Sequence, residues 1–172
     1  LKAYLKINPK YGPARADLFR YAVLYNEGGV YLDAKSFCNK PLSKVIKSTD
    51  KFVLSYWHNY KPHADLIGLE KGEIINWFIA VIPKHPLMLK VINAVVDNIN
   101  NPKFKDATGK YNVLLITGPV VFTNILKMQL YLYPHRLVDN YTSLYLDYSH
   151  YNNHVHITKN HYTTLKDPII LN

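Results

Sequence analysis

Two adjacent glycines, Gly28 and Gly29, separate a helix-forming stretch from a short apolar stretch, and this unit constrains the fold more than any other part of the chain. Residues 14–26 place apolar side chains at the i, i+3, i+4 and i+7 positions of one helix face: Leu18, Tyr21, Ala22 and Tyr25. Residues 30–32 (Val-Tyr-Leu) then form an apolar triplet that ends at Asp33. We therefore predict a helix, a turn at which Gly28 takes a left-handed conformation, and a short buried strand.

Further along the chain, apolar stretches alternate with polar breaks, as in an α/β domain with a mixed sheet. The pattern predicts helices over about residues 86–99, opened by His85-Pro86, and 120–130. It predicts short strands at residues 52–57, 137–138 and 145–146. Residues 74–82 fit a helix or a strand equally well, and residues 58–73 and 103–112 are expected to be loops. Because no repeat or composition break divides the chain, we expect one domain over residues 1–172.

Composition excludes several classes of protein. Hydrophobic residues make up 48% of the 172 residues, which is too much apolar surface for a disordered chain. The lone Cys38 rules out a disulfide scaffold, and no stretch reaches the roughly 18 consecutive apolar residues of a membrane-spanning helix. The formal net charge of +9 comes mostly from lysines, which are dispersed without a run of three. Dispersed charge suits a nucleotide ligand better than nucleic acid, whose binders cluster their basic residues on one face.

Three charged residues of the helix–strand unit are candidates for a ligand site. Asp17 and Arg20 are three positions apart, so both side chains can reach one neighbouring point. Asp33 leaves the strand at its carboxyl end, where open α/β sheets bind ligands. Carboxylates and a guanidinium together can accept and donate hydrogen bonds to the hydroxyls of a polyol. The alternative for Asp17 and Arg20 is a surface ion pair on a capped helix.

The same unit resembles the sugar-binding region of glycosyltransferase family 32. The usual pattern of that family is Ala-x-x-Asp-x-x-Arg-Tyr on a helix, followed by Gly-Gly-x-Tyr-x-Asp-x-Asp. Eight positions match across one unbroken spacer: Ala14, Asp17, Arg20, Tyr21, Gly28, Gly29, Tyr31 and Asp33. Later stretches resemble landmarks of small bacterial and viral members: Ser55-Tyr56-Trp57, Gly72-Glu73, Trp77, His85-Pro86, Thr117-Gly118-Pro119 and His161-Tyr162. The first strand of the family has no counterpart here, so the resemblance describes a catalytic domain that is incomplete at its N-terminus.

The resemblance implies an A-type glycosyltransferase fold, which is Rossmann-like with a mixed central sheet. It also implies a hexosyltransferase that moves a sugar from a UDP- or GDP-sugar to a glycan or glycoconjugate acceptor, with retention at the anomeric carbon. Carried over by position, the residues that bind the donor sugar are Asp17, Arg20, Gly28, Gly29 and Asp33. The implied mechanism has the acceptor hydroxyl attack the face from which the diphosphate departs, while Asp17 or Glu73 stabilises an oxocarbenium-like centre.

Lys35 departs from the family pattern, because it stands where the second aspartate of the Asp-x-Asp motif normally binds Mn²⁺ or Mg²⁺. An ammonium cannot ligate a hard divalent cation. In one hypothesis Lys35 neutralises the diphosphate directly; in the other it points away, and Asp33 holds a metal together with His161. Metal dependence therefore stays open. Glu73 is a candidate carboxylate near the donor or the acceptor, with a solvated loop charge as its alternative, and the expected catalytic residues are Asp33, Lys35 and Glu73.

Other functions follow from the same residues. A non-catalytic module that binds a nucleotide-sugar or carbohydrate would keep Asp17, Arg20 and Asp33 but transfer no sugar. A nucleic-acid-binding domain is disfavoured by the dispersed lysines. The expected location is the cytoplasm or the cytoplasmic face of a membrane, which is the host-cell cytoplasm for a viral protein; membrane association stays open, although no anchor is visible in the sequence.

Overall fold

The structure, a computed structural model, describes residues 1–59, 63, 70–148 and 164–171. Helices and strands alternate along it, which confirms the predicted α/β class with a mixed sheet. The helices are α1 (Lys2–Lys6), α2 (Gly12–Glu27), α3 (Leu42–Val45), α4 (Pro86–Asn100), α5 (Gly109–Ile116) and α6 (Pro119–Gln129). The strands are β1 (Gly29–Leu32), β2 (Ser36–Cys38), β3 (Phe52–Tyr56), β4 (Phe78–Val81), β5 (Arg136–Asp139) and β6 (Leu146–Tyr148).

A four-stranded sheet in the order β1-β4-β3-β5 forms the centre of the fold. Strand β4 is antiparallel to both β1 and β3, whereas β5 is parallel to β3. The carboxyl ends of β1, β3 and β5 therefore lie at the same edge of the sheet. Strands β2 and β6 pair with each other in a separate antiparallel sheet, which starts soon after Asp33.

Apolar side chains cover both faces of the central sheet, because successive residues of a strand point to opposite faces. The larger cluster packs helices α2, α4 and α6 against one face and includes Tyr21, Leu24, Phe52, Leu54, Ile79, Val91, Phe122 and Leu126. The rings of Tyr21 and Phe122 stack in it with their centroids 5.4 Å apart. The smaller cluster covers the opposite face and includes Val53, Ile75, Trp77, Phe78, Ala80, Leu144 and Leu146.

Three predicted helices are confirmed as α2, α4 and α6, with their ends shifted by a few residues. Helix α4 begins as expected after His85, whose Nδ1 accepts a hydrogen bond from the backbone N–H of Leu87 at 3.3 Å. Pro86 suits the first turn, where its missing N–H is not needed. The ambiguous stretch of residues 74–82 is a strand over Phe78–Val81.

Two expectations about local structure are wrong. Residues 30–32 lie in β1, which is half-exposed rather than buried, because β1 is the edge strand of the sheet over the described residues. Residues 109–112 belong to helix α5 rather than to a loop. The first residues of α5 are mostly polar, so the apolar periodicity does not indicate a helix there. The buried residues Val113, Leu114 and Ile116 pack α5 into the core.

The stretch Gly109–Leu132 is long and apolar enough by composition to cross a membrane, with a mean hydropathy of 1.5 in its most apolar window. In the structure it comprises two helices, α5 and α6, with a break at Thr117 and Gly118. Of that window 61% is buried within the fold, as is common for core helices of soluble proteins, so the stretch is weak evidence for a membrane span.

Candidate functional site

Polar side chains gather where the parallel strands of the central sheet end. Asp33 follows β1, Trp57 follows β3, and Asp139 closes β5. Open α/β sheets bind their ligands outside the carboxyl ends of the strands. This edge of the sheet is therefore the candidate site, and its contacts divide into a part around Asp33 and a part around Trp57 and Asp139.

Arg20 connects the two aspartates that the sequence singles out. Its Nη1 lies 3.1 Å from Oδ1 of Asp33, and its Nη2 lies 3.2 Å from Oδ1 of Asp17. The guanidinium also lies over the ring of Tyr31, with Cζ 4.5 Å from the ring centroid. The phenol of Tyr31 donates to Oδ1 of Asp33 at 2.9 Å. The predicted convergence of Asp17, Arg20 and Asp33 is thus present in the structure, with Arg20 at its centre.

Two residues that sequence reasoning did not assign to the site complete the buried contacts of Asp17. Asn76 donates to Oδ1 of Asp17 at 3.0 Å, and the hydroxyl of Thr117 donates to Oδ2 at 2.9 Å. Nη1 of Arg20 donates to the backbone oxygen of Asn76 at 2.7 Å. Asn76 carried a signal in the sequence, because it is a polar residue inside the apolar run of residues 74–79.

Burial dominates the electrostatics of this group. It raises the pKa of Asp17 to about 6, although Arg20 and the bond from Thr117 oppose the shift. Burial lowers the pKa of Arg20, but the carboxylates of Asp17 and Asp33 outweigh it, so the net shift is upward and the guanidinium stays charged. Burial also raises the pKa of Tyr31 to about 12, so its phenol remains a hydrogen-bond donor to Asp33.

Exposure differs sharply within the group. The side chains of Asp17 and Arg20 are 7% and 5% exposed, whereas that of Asp33 is 22% exposed. All three contacts of Asp17 are made to protein groups, and they occupy both of its oxygens. The structure therefore places Asp17 and Arg20 as buried residues that position the partly exposed Asp33, and their assignment to the donor sugar stays a prediction.

Gly28 and Gly29 form the turn from α2 into β1 and lie at the end of β1 that is remote from Asp33. They lie at the start of the strand and Asp33 follows its end, about 13 Å away at 3.3 Å per residue. Gly28 has φ 68° and ψ −156°, so its φ is positive as predicted but its ψ is not that of a left-handed helix cap. A Cβ at Gly28 would lie 2.6 Å from Pro83. The assignment of these glycines to the donor sugar stays a prediction.

Glu73 is buried beneath Trp57 rather than solvated. Its Oε1 accepts a hydrogen bond from Nε1 of Trp57 at 3.0 Å, its Oε2 lies 2.5 Å from Nδ1 of His63, and its side chain is 6% exposed. The indole of Trp57 packs in turn against Trp77 and Tyr148, at centroid distances of 5.5 and 5.3 Å. Glu73 thus fixes an aromatic cluster that lines the site edge.

A cavity of about 230 Å³ opens beside this cluster, at the ends of β3 and β5. It is lined by Tyr56, Trp57, Asn59, Lys71, Leu137, Val138 and Asp139. Oδ2 of Asp139 is 2.9 Å from Nδ1 of His58, and Oδ1 accepts from the backbone and hydroxyl of Thr142. Burial raises the pKa of Asp139, but these hydrogen bonds outweigh it and hold the pKa below its usual value. A fixed carboxylate therefore borders the cavity.

Lys35 lies next to Asp33 on the exposed side of the site, with its Nζ 4.3 Å above the ring of Tyr148. His161, the other candidate metal ligand, lies outside the described residues. Over the parts of the chain that the structure describes, no group of three His, Cys, Asp or Glu side chains is arranged to hold a metal ion.

Comparison with known proteins adds an independent observation. Residues 2–53 match a protein family described as the glycosyltransferase sugar-binding region containing the DXD motif. The matched stretch contains α2, β1 and Asp33, and thus the Arg20–Asp33 contact.

One similar protein is the inositol phosphoceramide mannosyltransferase 1 of Schizosaccharomyces pombe, which is 31% identical over 110 residues. Those residues are 64% of this chain but 29% of the relative, so the chain spans less than a third of that relative's length. Among solved structures, the PaToxG glycosyltransferase is similar with a TM-score of 0.47 and 24% identity, over 69% of this chain and 35% of that chain.

Proposed function

We propose that this chain is the catalytic part of a glycosyltransferase that takes its sugar from a nucleotide-diphosphate-sugar, because residues 2–53 match the family of glycosyltransferase sugar-binding regions containing the DXD motif. The single observation that carries the proposal is the state of Asp33. Its Oδ1 is held by Arg20 and Tyr31, while Oδ2 accepts no hydrogen bond from any described residue. A carboxylate oxygen that is fixed in direction, partly exposed and not bonded by a described residue is suited to accept from a sugar hydroxyl.

In the proposed reaction, the bond between the anomeric carbon and the diphosphate oxygen breaks, and its electron pair goes to the departing diphosphate. An acceptor hydroxyl forms the new bond on the same face of the sugar and passes its proton to a departing phosphate oxygen, which gives retention. Asp33 orients the sugar through its hydroxyls, and the buried Arg20 and Asp17 keep Asp33 in place. Positioning and preorganised charge supply most of the rate.

The acceptor enters, in this proposal, at the cavity beside Trp57 and Asp139. Its volume of about 230 Å³ is below the roughly 300–1,000 Å³ of sites for drug-sized ligands, which suits a single ring. An indole face and a fixed carboxylate are the groups that recognise a sugar or an inositol ring. The mannosyltransferase relative is named after an inositol lipid, inositol phosphoceramide. By analogy with that name, we propose a hexose as the transferred group and a polyhydroxylated ring as its acceptor.

The test is a panel of UDP- and GDP-sugars, each measured by thermal shift and by release of the nucleoside diphosphate. We expect one donor to raise the melting temperature by mass action and to be turned over, with the Asp33→Ala variant losing turnover. Methyl mannoside and myo-inositol serve as acceptor probes. Stabilisation by a donor without any turnover would instead identify a binding module, and no response to any donor would refute the proposal.

A further inference from the structure

The ammonium of Lys35 lies at the candidate site, where, among the described residues, it contacts an aromatic ring. Over the described residues its ammonium makes no hydrogen bond and no ion pair, although it lies beside Asp33 and over the ring of Tyr148 at 4.3 Å. An exposed lysine with three unused N–H donors next to a candidate sugar site is available to an anion. The inference below rests on the proposed function, because the anion is the diphosphate of the donor.

Sheet register holds Lys35 at this position. Lys35 directly precedes β2, and Ser36 pairs with Tyr148 at the end of β6. The ring of Tyr148 is itself packed against Trp77, with centroids 4.8 Å apart. The ammonium thus lies over a ring that cannot easily move, and a cation over an aromatic face is attracted by the ring's quadrupole.

The residues around Asp33 do not fit a divalent metal ion. Mn²⁺ and Mg²⁺ require several oxygen ligands, whereas Asp33 offers only Oδ2, because its Oδ1 already accepts from Arg20 and Tyr31. The position that would supply a second carboxylate carries the ammonium of Lys35. No three-residue metal-ligand group occurs in the described ranges.

The local charge favours an anion over a cation. Two nearby charges act on Lys35: the carboxylate of Asp33 favours its charged form, and the ammonium of Lys110 opposes it. Burial is the main cause that lowers the pKa of Lys35, and the like charge of Lys110 adds to it. A diphosphate placed between these lysines would relieve their repulsion, whereas a divalent cation would increase it.

We propose that Lys35 takes the role that Mn²⁺ or Mg²⁺ has at an Asp-x-Asp motif. Its ammonium contacts the diphosphate of the donor directly, so that nucleotide binding requires no divalent cation. Lys35 stays protonated throughout and offsets the charge that develops on the departing diphosphate. The Asp-x-Lys sequence at residues 33–35 is then a metal-independent form of the site.

Isothermal titration calorimetry with UDP and GDP tests the proposal, in EDTA and in MnCl₂, on the wild type and on Lys35→Asp, Lys35→Gln and Lys40→Asp. We expect the wild type to bind one nucleotide in EDTA, with Mn²⁺ changing the affinity by less than about threefold. Lys35→Gln should lose about tenfold or more, as for a charge-assisted hydrogen bond. Lys35→Asp should lose at least as much in EDTA and regain affinity with Mn²⁺, because it restores a second carboxylate.

Lys40→Asp is the matched control, because Lys40 is also exposed and also lies over a tyrosine ring, that of Tyr145, at 3.5 Å. It should bind the nucleotide like the wild type. Wild-type binding that EDTA abolishes and Mn²⁺ restores would overturn the inference, as would a Lys35→Gln variant with unchanged affinity. Absence of binding by the wild type in both buffers would refute the proposed function itself, and the inference with it.

Discussion

Nη1 of Arg20 lies 3.1 Å from Oδ1 of Asp33, so a buried side chain of helix α2 fixes a partly exposed carboxylate at the edge of the sheet. Arg20 is in turn held by Asp17 and by the backbone oxygen of Asn76. Charged contacts therefore connect the interior of the fold with the surface, from Asp17 through Arg20 to Asp33. Substitutions at these residues should differ in their effects on stability and on turnover.

Replacing Asp33 by Asn should separate function from stability. The side chain is partly exposed, and Arg20 keeps its contact with Asp17, so the free energy of unfolding should fall by no more than about 1 kcal/mol. Donor turnover should fall by about 100-fold, as for the loss of a preorganised electrostatic contact. Asp97→Asn, on the exposed face of α4, is the control and should change neither quantity. Turnover within about threefold of the wild type would contradict the role of Asp33.

Asp17 should make stability depend on pH in an unusual direction. Its folded pKa of about 6 lies above the ordinary value of 3.8, so its stabilising contribution is complete below about pH 3.8 and is lost as the pH rises through about 6. Relative to Asp17→Asn, the wild type should therefore gain on the order of 2 kcal/mol between pH 7 and pH 4. Urea unfolding of both proteins at several pH values measures the difference.

The comparison with Asp17→Asn cancels the other titrations. Burial lowers the pKa of His85, which destabilises the fold as the pH falls, but it does so equally in both proteins. The hydrogen bond from Arg136 lowers the pKa of Asp50, whose contribution is lost only below about pH 4. A wild type that loses stability relative to Asp17→Asn between pH 7 and pH 4 would show that Arg20 outweighs burial at Asp17.

The sequence predicted helices α2 and α4, but it did not predict the burial of Asp17. A 3.6-residue pattern of apolar residues marks α2 and α4 because their core faces are mostly apolar. Asp17 lies on the buried face of α2 between Ala14 and Tyr21, where a polarity pattern assigns a solvent-facing position. A charge tolerated there depends on Asn76 and Thr117, which come from distant segments, and no local pattern shows that they contact Asp17.

The sequence predicted the part of the candidate site that follows from local structure, and it missed the part that depends on contacts between distant segments. The position of Asp33 follows from a local rule, since it comes directly after a strand. The link from Trp57 to Glu73 depends on the antiparallel bridge between Tyr56 and Ile74. The cavity beside Asp139 depends on the pairing of β3 with β5, which are about 80 residues apart in the chain. Register between distant strands is a tertiary property, so these contacts appear only in the structure.

Gly28 and Gly29 should respond differently to alanine, although both have positive φ. Gly28→Ala places a Cβ 2.6 Å from Pro83 and 2.9 Å from the backbone oxygen of Val81, whereas Gly29→Ala meets no atom within 4 Å. We expect Gly29→Ala to cost about 1–2 kcal/mol for backbone strain and Gly28→Ala at least about 2 kcal/mol more. Gly12→Ala, with open space and no positive φ, is the control and should be close to neutral. Chemical unfolding measures all three, and equal losses at Gly28 and Gly29 would contradict the close packing against Pro83.

Trp57→Phe should affect the acceptor more than the donor. Phenylalanine keeps an aromatic ring beside Trp77 and Tyr148 but removes the indole N–H that donates to the buried Glu73. Because Trp57 lines the cavity and Asp33 does not, the KM for methyl mannoside or myo-inositol should rise about tenfold, while hydrolysis of the donor in the absence of acceptor should stay unchanged. Tyr131→Phe, at an exposed position, is the matched aromatic control. Equal losses in donor hydrolysis and in transfer would place Trp57 at the donor and move the acceptor away from this cavity.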